Sequence, residues 1–186
     1  SALHGRLKDA GAQFGAYNGW ERANWFAQAG DDTTWQGSQT WDRAGPWAVR
    51  VAQECAAVRD SCGVIAISGF TRLSVEGAGA QAFVNSLTAS RIPRVGRIGL
   101  AYFADDKGRI VTEMSVIPRS PDCTWLITAG VAQLHDAELL SRQAPDGITV
   151  HDRSDKYDCL LVTGPHARKI LQPLTDADLS LPWLSV

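Results

Sequence analysis

Little in this chain marks it for nucleic acid, a membrane or an oxidising compartment. Its 186 residues carry a formal charge of only -2 and a pI near 6.0. No run of Lys or Arg supplies the electrostatic footprint that nucleic acid or an anionic bilayer needs. No apolar run approaches the roughly 18 residues of a membrane span, and Ser1-Ala2-Leu3-His4 lacks the basic start and apolar run of a secretory leader. Nucleic acid and membrane are therefore not expected as partners. The chain reads as cytoplasmic, with the mitochondrial matrix as the alternative. A dinucleotide fingerprint is also missing: Gly77-Ala78-Gly79 follows a strand pattern but lacks the third glycine and the later acid, so it reads as a turn and helix start. Without a Gly-x-Ser-x-Gly elbow, serine-hydrolase chemistry has no nucleophile.

Cysteine is scarce as well, with four residues and no Cys-x-x-Cys pair for zinc. Cys55 and Cys62 fall on one apolar face with Val51 and Val58, and seven residues of helix separate their Cα atoms by roughly 10 Å, beyond disulfide reach. Buried free thiols are the expectation for all four. His135-Asp136 and His151-Asp152 are each adjacent in sequence; neighbours on a helix point about 100° apart and do not chelate one ion together. They read as surface polar pairs or caps, and no metal site is expected.

What the chain does have is 45% hydrophobic residues, enough for a substantial core. Residues 1 to about 46 show no sustained periodicity, and five of the seven tryptophans fall at or before Trp47. This reads as an irregular, Trp-rich wrap or linker that packs on another surface, since disordered segments are poor in aromatics. Residues 47–152 read as a first subdomain. Val49 to Cys62 is a helix ended by Gly63. Val64 to Ile67 and Thr71 to Glu76 are strands, and Ala80, Phe83, Val84 and Leu87 give the i, i+3, i+4, i+7 spacing of an amphipathic helix. Strands near 97–104, 109–117 and 124–129 follow, the first two joined by the turn Asp105-Asp106-Lys107-Gly108. A helix over about 131–143 and a strand at 148–151 complete the unit.

This order predicts an α+β fold, a ferredoxin-like split βαβ unit with antiparallel sheet. Residues 153–186 read as the start of a second, similar unit, with a strand from Tyr157 to Thr163 and a helix opened by Gly164-Pro165 whose apolar face is Ala167, Ile170, Leu171 and Leu174. That unit is not completed, and the expectation is that a further segment or chain covers its apolar face.

Glu113 is the first candidate for chemistry. Alternation along Arg109 to Ile117 puts Val111, Glu113, Ser115 and Ile117 on one face. The pattern leaves two readings open: a partly desolvated carboxylate whose pKa rises toward a useful range, or a sheet-edge residue reaching solvent.

The motifs Val95-Gly96-Arg97, Lys107-Gly108-Arg109-Ile110-Val111-Thr112-Glu113, Leu126-Ile127-Thr128-Ala129-Gly130 and Thr163-Gly164-Pro165-His166-Ala167-Arg168 occur in the order seen in one family. Together they make the chain resemble the aminomethyltransferase (T-protein) of the glycine cleavage system, and more closely the C-terminal folate domain of dimethylglycine and sarcosine dehydrogenases. Leu3 to Lys8, Phe14-Gly15 and Gly19 to Phe26 resemble the segment that joins the flavin part of those dehydrogenases to the folate part.

The resemblance implies an incomplete aminomethyltransferase folate-binding fold. It implies tetrahydrofolate as cofactor, with FAD held only in a separate domain or subunit. Implied partners are a small N-methyl amine, a flavin-containing domain or subunit, and the missing C-terminal half. It also places Glu113 opposite the folate nitrogens, as the single acid remaining from a T-protein pair that here reads Thr112-Glu113. Phe70, in Ala66-Ile67-Ser68-Gly69-Phe70, would wall a pterin ring. Leu100 falls where T-proteins often carry a folate-contacting Tyr, Tyr102 lies two residues on, and Thr128 stands where the family has Asn.

The expected function is a C1-accepting module of a flavin-dependent N-methyl amine dehydrogenase that forms 5,10-methylenetetrahydrofolate. A free-standing aminomethyltransferase or folate-dependent demethylase is the first alternative. A non-catalytic interaction subunit that keeps the fold is the second.

Overall fold

The computed structural model describes residues 2–17, 20–34 and 45–186. Gly19, Trp35 and Trp41, which belong to the Trp-rich stretch and the joining segment, lie outside the described residues. The chain divides into two compact units, one of Ser1–Gly69 with Asp158–Ser180 and one of Phe70–Tyr157 with Leu181–Val186.

In the first unit, helix α1 (His4–Asp9) leads into a hairpin of β1 (Ala12–Tyr17) and β2 (Trp20–Phe26). The stretch expected to be irregular is thus partly regular. Its strands escape the alternation test because β2 is mostly exposed, with only Trp25 buried among its residues. Helix α2 (Trp47–Asp60) follows, and no residue of it is fully buried. Arg50 on this helix grips the Asp31 carboxylate at both oxygens, Nε to Oδ2 at 2.7 Å and Nη2 to Oδ1 at 2.8 Å. Strand β3 (Gly63–Ala66) comes next and pairs antiparallel with β9 (Leu160–Thr163), which enters this unit late in the chain. The Ser68 hydroxyl accepts a hydrogen bond from the Cys159 N–H at 3.0 Å, pinning the turn after β3 to the residue before β9. Helix α5 (Ala167–Leu171) closes the unit. All four cysteines are free, but Cys55 is exposed, because α2 buries no complete face, and Cys62, Cys123 and Cys159 are only half-buried.

The second unit is two layers. Strands β4 (Thr71–Glu76), β5 (Gly99–Ala104), β6 (Ile110–Ser120), β7 (Cys123–Thr128) and β8 (Thr149–Asp152) form one five-stranded sheet in the order β5-β6-β7-β4-β8, every neighbouring pair antiparallel. Three strands stand between the two helices, one more than a split βαβ unit requires, because β5, β6 and β7 run as a continuous meander.

Helices α3 (Ala80–Ser86) and α4 (Gln133–Gln143) pack on one face only. Ala80, Phe83 and Val84 of α3 and Leu140 of α4 join Leu73, Val75, Ala101, Phe103, Met114, Val116 and Leu126 of the strands in a single core. Leu73 is paired with Leu126, and Val116 with Leu126, so three side chains with no exposure stack across β4, β7 and β6. Gly77 opens the turn into α3 at φ 129, and a Cβ there would come within 2.0 Å of the Gly147 carbonyl oxygen, so no other residue fits. The C-terminal Leu181–Val186 returns to this unit, where the Val186 N–H donates to the Gly96 carbonyl and the Ile98 N–H to that of Leu184.

Candidate functional site

Antiparallel pairing settles which side chains share a face. Residues directly opposite one another in neighbouring strands project to the same side, and sides alternate along each strand. Tyr102 is opposite Glu113, and Leu100 is opposite Ser115; Ala101 and Phe103, which alternate with them along β5, face the core. Leu100, Tyr102, Glu113 and Ser115 therefore lie together on the face of the sheet away from α3 and α4. Ser115 and Ile117 are opposite Ile127 and Trp125, which extends that face across β7.

The far half of this outer face is covered. Arg153 reaches the Ser74 hydroxyl at 3.0 Å and Glu76 Oε1 at 2.8 Å. Arg72 donates to the backbone oxygens of Phe70 and Ser154, and the Tyr157 ring meets Trp125 edge-on at 5.2 Å. The Ser74 hydroxyl and Arg153 together hold the Glu76 carboxyl below its ordinary range. The β5–β6 half is bare: Leu100 is 53% and Tyr102 39% exposed, beside an exposed Glu113. The result is an apolar and aromatic shelf carrying one carboxylate.

Glu113 does not sit at the sheet edge, since β5 occupies that position and β6 is one strand in. Nor do its strand neighbours desolvate it. Val111 has no partner on β5, where Phe103 pairs with Thr112 and Ala104 with Ile110, and this bulge leaves Val111 40% exposed. Phe70 is exposed in the bend before β4, two strands from Glu113 and so roughly 10 Å away across the sheet. Structure thus unites Glu113, Tyr102 and Leu100, with Phe70 further along the same sheet.

Thr128 does not join them. It is opposite Thr71 and faces the helices, buried, with its hydroxyl 2.6 Å from Asp136 Oδ2. Asp136, read from the sequence as part of a surface pair, has no exposure at all. It lies at the start of α4 and also receives the Thr112 hydroxyl at 3.1 Å, while the 57%-exposed His135 contacts its Oδ1 through Nδ1 at 2.8 Å. Burial of a carboxylate is tolerated because these contacts replace lost water. The available signal was its spacing: Asp136 is four residues before buried Leu140, on the helix's inner stripe. No cluster of three or more His, Cys, Asp or Glu that could hold a metal ion occurs among the described residues, and no helix among them is long and apolar enough to cross a membrane.

This layout defines a class. The fold matches the glycine cleavage system aminomethyltransferase T from Bartonella henselae with a TM-score of 0.79, covering 100% of this chain and 46% of that one; at 18% identity the likeness concerns the fold alone. The chain belongs to the GCVT N-terminal domain family, whose model matches residues 3–186. It is 32% identical over 183 residues to the mitochondrial dimethylglycine dehydrogenase of Mus musculus, covering 97% of this chain and 21% of the relative. It is 29% identical over 177 residues to an aminomethyltransferase of Parafrankia sp. (strain EAN1pec), covering 94% and 43% respectively. These relatives are enzymes, and the chain corresponds to one part of them.

Proposed function

We propose that the chain is the tetrahydrofolate-binding, C1-accepting part of a flavin-dependent N-methyl amine dehydrogenase of the dimethylglycine or sarcosine type. The observation that supports this best is the bare shelf of Leu100 and Tyr102 with Glu113 directly opposite Tyr102. A flat heteroaromatic ring with N–H groups along one edge suits such a surface: the apolar side chains take its face, and the carboxylate accepts from its edge. Phe70 extends the apolar surface. Thr128, engaged by Asp136 on the opposite side, is left out of the ligand set.

Bound tetrahydrofolate would supply two nitrogens that take up a carbon at the oxidation level of formaldehyde, giving 5,10-methylenetetrahydrofolate. Glu113 would orient the ring, accept a proton, and stabilise positive charge that develops on the transferred carbon. Oxidation of the amine falls to a flavin held by another domain or subunit, in the cytoplasm or, as in the mammalian relatives named mitochondrial, in the matrix.

The 43% coverage of an aminomethyltransferase keeps a transferase without flavin as the second reading. Titrating the full-length protein with 5-formyltetrahydrofolate tests the common part of both. Saturable binding that weakens at least tenfold in Leu100→Asp supports the shelf as the folate site; equal binding by parent and variant refutes it. Flavin reduction by an N-methyl amine in the same protein separates dehydrogenase from transferase.

A further inference from the structure

Asp136 is a fully buried carboxylate that the proposed chemistry does not use. Both hydroxyls that bind its Oδ2 come from strand residues flanking the Glu113 position. Thr112 is the residue before Glu113 in β6, and Thr128 ends β7, with its hydroxyl oxygen also 3.5 Å from the Glu113 backbone oxygen. A hydroxyl has one proton, and the 2.6 Å contact claims that of Thr128 for the carboxylate, so the approach to the backbone oxygen is secondary. Met114, on the other side of Glu113, is locked in the core. The residue is therefore held between two inward-pointing anchors, Thr112 tied to α4 and Met114 buried in the core.

The clamp also lies next to the bulge at Val111, where β6 loses its regular pairing with β5. The tie at Thr112 fixes, from the inner face, the point just after the bulge where regular pairing resumes, and that point sets the direction in which Glu113 projects.

We infer that Asp136 is a positioning residue for Glu113, acting through Thr112 and Thr128 from the opposite side of the sheet. The inference rests on the reading of Glu113 as the folate-facing carboxylate. Placement errors of about 1 Å at a reacting group cost up to about 10²-fold in rate, so losing the clamp should lower the rate of carbon transfer without unfolding the unit.

A double-mutant cycle tests this in the full-length protein, with carbon transfer to tetrahydrofolate followed as kcat and KM. Asp136→Ala is expected to lower kcat at least tenfold while the circular dichroism spectrum and amine oxidation stay at parent level. Asp136→Asn, which keeps one acceptor oxygen, should recover most of the loss. In a Glu113→Gln background Asp136→Ala should cost less than about twofold more, because the group it positions is gone. Equal losses in both backgrounds, or parent kcat in Asp136→Ala, would overturn the inference. If Asp136→Ala fails to fold, Thr128→Val takes its place in the cycle with the same expectations. Failure of the underlying reading looks different: Glu113→Gln alone then transfers carbon at the parent rate, and the inference falls with it.

Discussion

Changing Glu113 to Gln alters charge while keeping shape. The side chain is exposed and engages no hydrogen bond or ion pair among the described residues, so stability should stay within about 0.5 kcal/mol of the parent. Any loss of activity is then attributable to the missing carboxylate. Removing a group that accepts a proton or stabilises developing positive charge costs on the order of 10²-fold, which at about 1.36 kcal/mol per decade is about 2.7 kcal/mol of barrier. On the proposed function, amine oxidation should be nearly unchanged, because that reading assigns it to a flavin outside this chain. Carbon that is no longer captured should leave as formaldehyde. The assay follows three quantities in one reaction of the full-length protein: flavin reduction by the amine, 5,10-methylenetetrahydrofolate, and free formaldehyde. Expected is unchanged flavin reduction, a roughly hundredfold fall in initial transfer rate, and a matching rise in formaldehyde. Parent-rate transfer, or an equal collapse of both half-reactions, would refute the assignment of Glu113.

Two predictions concern the scaffold. Leu126→Ala empties a site walled by Leu73 and Val116, all with no exposure; three lost carbons at about 0.8 kcal/mol each plus a cavity that hydrogen-bonded strands cannot collapse give about 3–4 kcal/mol of destabilisation, checked by urea unfolding. Asp31, held down to about 2 first by its hydrogen bonds from Arg50, contributes stability that is present above the ordinary carboxylate pKa and lost as pH falls from about 3.8 toward 2; the urea midpoint of the parent should fall more steeply there than that of Asp31→Asn, and parallel curves would contradict the linkage.

Legibility followed burial. β7 alternates half-buried and buried along its whole length, and β6 does so from Met114 to Pro118, so the strands were legible and the side chains sharing a face with Glu113 could be grouped, while which of the two faces meets the core was left open. The β1–β2 hairpin has almost no buried face, and a strand without one leaves no periodic trace. Thr128 and Asp136 escaped for a related reason. A polar residue that points inward looks like any surface polar residue until its partners are known, and the two hydroxyls that bind Asp136 are 8 and 24 positions away in sequence. Which side chains share a face within β6 was readable; that Thr128 of β7 turns to the other face, toward a hidden carboxylate, was not.

Because β6 alternates with period two, the sheet is a two-sided board whose sides change under different rules. Leu100, Tyr102 and Ser115 can be exchanged for other residues without disturbing the layer beneath, so ligand preference can drift while the scaffold stays constant. Insertions and deletions are another matter. Removing one residue between Glu113 and Pro118 would turn the carboxylate inward and a core side chain outward, destroying both faces at once, whereas removing two would preserve them. The bulge at Val111 is the place where such a shift can be absorbed, since one unpaired residue is already accommodated there. Lineages of this domain should therefore accept length changes at the Asp105–Gly108 turn and the bulge, and substitutions alone further along the strand.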